Sequence, residues 1–162
     1  MRAKAKPHQA RKNRPRKRPD IPAGTSRKDV KAREKLITDS LRRLRDTSPN
    51  GSILNKESRK PVKITAEGIS ETAHHAAKGK ASTISALDAE RQIRKSKKKR
   101  TSSPKNNARQ QKMSVAKMHE YRGKRDGKKV KVMIGEKDTG ECLLYSITTP
   151  QGSMNKKKNR WT

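Results

Sequence analysis

Apolar residues recur at a regular period in only a few stretches of this chain, and the segments between them are almost wholly polar or charged. Val30, Ile37, Leu41 and Leu44 repeat at helical spacing, which predicts an amphipathic helix with Ser26 as its N-cap. Ser48-Pro49-Asn50-Gly51 stops it. Its opposite face carries Arg42, Arg43 and Arg45, so docking on a core and docking on nucleic acid are both open to it. Residues 27–60 thus read as an amphipathic helix and a linker.

A second helix is predicted over 65–78. Thr65 can cap it, Glu67 and Glu71 lie near its positive end, and Lys78-Gly79-Lys80 closes it. Its apolar face, Ile69, Ala73, Ala76 and Ala77, is narrow and suits close packing. A third helix is expected over 83–94, showing Ile84, Leu87 and Ile93, with Ser82 or Thr83 as the cap. Beyond residue 112 the period becomes alternating, which predicts strands at 114–121, 128–134 and 141–149 with turns at 123–127 and 137–140. Two helices followed by a small antiparallel meander make an α+β core spanning 61–150.

Composition narrows the picture. Apolar residues make up 27% of the 162, and Tyr121, Tyr145 and Trp161 are the only aromatic side chains, so a core filling the whole chain is excluded. No apolar run approaches the roughly 20 residues of a membrane-spanning helix. The basic start has no apolar segment behind it and does not read as a secretory signal. Cys142 is the single cysteine, so no internal disulfide is possible, and a reducing, cytoplasmic setting is expected.

Charge is distributed unevenly. Forty-five lysines and arginines face 15 acids, a net +30. Residues 61–93 hold four basic and four acidic side chains, and 113–150 eight and five, so nearly all the excess lies in arms around the core. Residues 1–26 read as a disordered basic arm containing Arg16, Lys17 and Arg18. Residues 94–112 read as a long basic loop with Arg94, Lys95, Lys97, Lys98, Lys99 and Arg100 at its start. Residues 151–162 form a basic tail. Such clusters bind polyanions, with affinity that falls as salt rises. Scarce aromatics argue against base stacking, and no helix pairs a large apolar face with the charge, so RNA or DNA is expected and a membrane surface is not. A solubilising or linker role is the plain alternative for these arms.

Candidate chemistry lies on the second helix. At 100° per residue, Glu71, His75 and Lys78 fall on one stripe, and Ser70, His74 and Lys78 on another. A histidine, a carboxylate to orient it and a cation for a phosphate oxygen are the parts of metal-free phosphodiester cleavage. Adjacent surface histidines are otherwise ordinary polar surface. The His74-His75 pair lacks zinc-enzyme spacing, and His119 and Cys142 would have to converge on it, so neither a metal nor a cofactor is expected. Tyr145, Ser146 and Thr148 can add hydroxyls to a phosphate site. Strict alternation puts Leu143, Tyr145 and Ile147 on one face and Leu144, Ser146 and Thr148 on the other, so a helix on the Ile147 face would bring His75 towards Tyr145.

The runs ISETAHHAAKGKASTISAL and KVKVMIGEKDTGECLLYSIT, separated by a basic loop, resemble the large polyvalent protein-associated domain of the third type. The resemblance covers about 62–149. It rests on His75 and Lys78, Ser82-Thr83 before Ala86-Leu87, Thr139-Gly140, and Tyr145-Ser146-Ile147-Thr148. It implies the barnase–EndoU–colicin–RelE-like nuclease fold group and a phage or mobile-element protein. It further implies a metal-independent RNase-like core with His75 as acid or base, Lys78 on phosphate, and Tyr145 or Ser146 in support. Glu71, His74 and Lys80 are further candidates. The three legible strands are one fewer than that group's usual four. The leading expectation is therefore a nucleic-acid-binding mobile-element protein with endoribonuclease as its candidate activity, and an immunity or phage structural protein as a candidate partner. The alternatives are a non-catalytic packaging protein and a ribosome-associated structural protein.

Overall fold

The computed structural model describes residues 21–104 and 112–150; positions 1–20 of the expected arm at 1–26, with Arg16, Lys17 and Arg18, positions 105–111 of the expected loop at 94–112, and the expected tail at 151–162 lie outside the described residues. Helix α1 spans Arg27–Thr47. Ser26 Oγ accepts from the Asp29 amide at 3.1 Å to start it, and Ser48 leaves helical geometry to end it. A 3-10 turn at Pro49–Gly51 leads to strands β1 (Ser52–Leu54) and β2 (Pro61–Lys63). Three helices follow: α2 (Ala66–Ala76), α3 (Lys80–Leu87) and α4 (Ala89–Lys95). Strands β3 (Lys97–Ser102), β4 (Val115–Arg125), β5 (Lys128–Lys137) and β6 (Cys142–Thr148) complete the fold.

The predicted α+β class is what the chain adopts, with a larger sheet than the meander alone. Six strands lie in the order β1-β2-β6-β5-β4-β3, antiparallel except where β2 runs parallel to β6. Strands β1 and β2 have three residues each, too short to show a period. Within the stretch expected to be a long basic loop, Lys97–Ser102 is instead an edge strand, bulged between Lys98 and Arg100. Backbone pairing with β4 needs no apolar alternation, which is why KKKRTS gave no strand signal. The β4–β5 hairpin closes on Asp126 (φ 53°) and Gly127 (φ 80°), the pair of positive φ angles that a two-residue turn matched to strand twist requires.

Two helical expectations change. The helix expected over 83–94 is two helices meeting at Asp88, whose φ of −96° and ψ of 28° break the helical path. Ser82 and Thr83 are not caps: their hydroxyls donate to the Ala76 carbonyl, at 2.6 and 3.1 Å, and so satisfy the C-terminal end of α2.

All the described helices lie on one face of the sheet. Strands β4, β5 and β6 send Tyr121, Val130, Val132, Ile134, Leu144 and Ile147 to meet Ile69, Ala73, Ala76, Ala86 and Ile93. Helix α1 docks over this layer and buries Ile37 and Leu41 completely. Arg33, also fully buried, donates to the carbonyls of Ala77, Pro22 and Gly24 at 2.7, 2.6 and 2.8 Å, which ties the segment before α1 to the end of α2. Helix α2 approaches β6 so closely that a Cβ on Gly68 would stand 2.2 Å from the Leu144 carbonyl oxygen.

A bulge in the β5–β6 pairing, between Met133 and Ile134, resets the side-chain alternation of β6. Ile147 therefore points with Leu144 into the helical layer, while Leu143 and Tyr145 join Met113, Met118, Val115 and Met133 in a second cluster on the opposite face.

Candidate nucleic-acid interface

The face opposite the helices collects cations by register. Lys97 on β3 stands opposite Arg122 on β4, and Arg122 stands opposite Lys131 on β5. Lys131 in turn faces Thr148 on β6. These residues share the parity of Met118 and Met133, so they project away from the helical layer. Lys124 opposite Lys129 extends the patch towards the β4–β5 turn. Like charges directly opposite one another on paired strands are destabilising.

Glu120 is the acid among them, opposite Met133 on β5 and Arg100 on β3. Its carboxylate pairs with Arg122 and, at 3.2 Å, with Arg100 Nε. Burial pushes the Glu120 carboxyl up, but the hydrogen bond and charge of Arg122, with the charges of Lys131 and Arg100, leave it below its ordinary value. Glu120 thus favours its ionised form and pairs with two arginines.

The expected phosphate-binding run divides. Lys97 and Arg100 belong to this face. Arg94 pairs with Glu90 on α4, Lys95 is exposed at the helix end, and Lys98 donates its amide to Glu57 Oε1 at 2.7 Å. Lys99 sits at the bulge.

The expected catalytic set also divides, and here the structure corrects the strict alternation used above. Glu71 Oε2 lies 2.7 Å from His75 Nε2, with His75 exposed and Glu71 nearly buried, so the carboxylate does hold the ring. Lys78 and Lys80 are exposed nearby. Tyr145 and Ser146, however, lie on the far side of the sheet: Tyr145 packs in the second cluster, and Ser146 faces Met133. The bulge in β6 separates them from His75. His74 turns instead into a groove of about 630 Å³ between α1 and α2, beside Ser70, Arg42 and Arg45. His119 and Cys142 lie on the helical side of the sheet, and burial, the largest effect on it, pushes the Cys142 thiol up. Among the described residues no cluster of three or more His, Cys, Asp or Glu is arranged to hold a metal.

Sequence reasoning missed Arg122, Lys124, Lys129 and Lys131, although their signal was present. In KKVKVMI, valines on one face force the lysines between them onto the other. Compared with known proteins, the chain matches no family model, no curated sequence and no solved structure. No helix among the described residues is long and apolar enough to cross a membrane.

Proposed function

We propose that this protein binds nucleic acid through the basic face of its sheet, with Lys97, Arg122, Lys131, Lys124 and Lys129 contacting the phosphate backbone. The observation that carries the reading is the row of like charges on three neighbouring strands. Such a row costs stability in the free protein and is relieved by a polyanion lying across it. The hydroxyls of Ser146 and Thr148 border the same face and supply neutral donors beside the cations. A cationic surface beside an apolar cluster whose one aromatic, Tyr145, is buried favours recognition by shape and charge over base reading. The likeness to phage and mobile-element domains gives this reading a biological setting.

The test is a titration of labelled RNA and DNA with the full chain across a range of salt. The plot of log affinity against log salt should be steep. Replacing Lys97, Lys129 and Lys131 together by glutamine should reduce its slope by roughly 2–3, about one per lost phosphate contact. An unchanged slope would place the binding elsewhere.

A second reading, metal-independent RNA cleavage, keeps one observation in its favour: the 2.7 Å contact between Glu71 and His75. Cleavage in the presence of a chelator, leaving cyclic phosphate ends and abolished by His75→Ala, would establish it. A protein that binds RNA and leaves it intact under those conditions would remove it.

A further inference from the structure

Three neighbouring strands place a hydroxyl, an imidazole and a carboxylate in line, at a point the nucleic-acid reading does not use. Thr101 on edge strand β3 stands opposite His119 on β4, and its Oγ1 lies 2.7 Å from His119 Nδ1. The other ring nitrogen, Nε2, lies 2.6 Å from Oε1 of Glu136 on β5. Lys60 Nζ approaches the second Glu136 oxygen at 3.7 Å. His119 is 6% exposed, whereas Thr101 is open to solvent on the edge of the sheet.

The chemistry of this line has a direction. The hydrogen bond from His119, the largest influence, holds the Glu136 carboxyl below its ordinary value against its partial burial, and Lys60 adds to the effect. An ionised carboxylate only accepts, so Nε2 carries the ring proton. In the neutral imidazole Nδ1 then keeps a lone pair on the side of Thr101, 2.7 Å from its hydroxyl, which can donate to it. A hydroxyl on a base that is oriented by a carboxylate is the arrangement that activates an alcohol as a nucleophile. The surroundings select the electrophile. Lys60 is at the carboxylate, Lys117 stands opposite Glu136, and Lys98, opposite Tyr121, shares the face of Thr101 on the edge strand. These lysines on the same face suit an anionic ester.

We propose that Thr101 is a nucleophile for phosphate esters, with His119 as its general base and Glu136 as the positioning carboxylate. In the step, Thr101 Oγ1 forms a bond to phosphorus while the bond from phosphorus to the ester oxygen breaks. The hydroxyl proton passes to His119 Nδ1 and then to the departing oxygen, so an alcohol leaves and a phosphothreonine ester remains. Water attacking that ester, with His119 again taking the proton and returning it to Oγ1, restores the threonine. This activity is separate from the charged row and stands or falls without it.

The test uses the full chain and a fluorophosphonate probe, whose phosphorus bonds to an activated hydroxyl as fluoride departs. Peptide mapping should find the adduct on Thr101. Thr101→Ser should keep the labelling and Thr101→Val abolish it, with circular dichroism checking that each variant is folded. Glu136→Gln should slow labelling at least tenfold and Glu136→Asp restore part of it, which a purely structural role would not produce. Excess bis(4-nitrophenyl) phosphate should slow the labelling by competition. No adduct on Thr101 in folded protein, or equal labelling in Glu136→Gln, overturns the activation. Labelling indifferent to the phosphodiester overturns the phosphate-ester class.

Discussion

Arg33 shows how one side chain can fasten two distant segments. Its guanidinium is fully buried and, among the described residues, is held by three carbonyls, from Ala77, Pro22 and Gly24. Hydrogen bonds to a charged donor are worth about 1.5–3 kcal/mol each, and a buried acceptor left unpaired costs a similar amount. Arg33→Met, which keeps most of the volume, should lower stability by on the order of 3 kcal/mol. Chemical denaturation measures the loss, and limited proteolysis near residues 21–26 should accelerate with it. Glu136 makes a prediction in pH. Its folded-state carboxyl lies below the ordinary value, chiefly through the His119 hydrogen bond. The stabilisation is therefore fully present above the ordinary glutamate pKa of about 4.3 and is lost as pH falls through the lowered value. Urea midpoints followed from neutral to acid pH should fall less steeply in Glu136→Gln than in the parent chain.

At the scale of elements, the helix–sheet contact depends on Gly68. Any Cβ there meets a backbone oxygen of β6, which cannot swing aside as a side chain would. Gly68→Ala should therefore cost about 1–3 kcal/mol despite the better helix propensity of alanine, and a thermal melt will show it. Elements with a period were legible in the sequence. The α1 stripe of Ile37 and Leu41, the Thr65 cap and the alternation of Val130, Val132 and Ile134 all appear as read. What was illegible lacked a period: β1 and β2 are too brief, and β3 is a run of cations and hydroxyls held by backbone pairing. The β6 bulge was the costliest omission. One extra residue reversed the face of everything after it and dissolved the expected meeting of His75 with Tyr145. Bulges arise from pairing across strands, and no pattern within LLYSIT announces one.

At the scale of the molecule, charge and burial are segregated. One face of the sheet carries the helices and nearly all the apolar contact, and the other carries aligned cations around a smaller methionine-rich cluster. The sequence located its excess charge in the arms and the 94–112 stretch. It took the fold to show that the near-neutral segment 113–150 also turns Arg122, Lys124, Lys129 and Lys131 to one side. Net charge hides such sorting, because Glu136 and Glu141 on the meander pair with Lys60 and Lys63 outside it.

The most direct measurement takes Lys129→Glu, at the opposed pair Lys124–Lys129, and records melting temperature and RNA affinity on the same sample. Turning repulsion into attraction should raise stability by about 0.2–1 kcal/mol, while RNA binding weakens and its salt dependence flattens. Affinity that holds steady while the melting temperature rises, or a melting temperature that falls, would contradict a sheet face whose strain is relieved by bound phosphate.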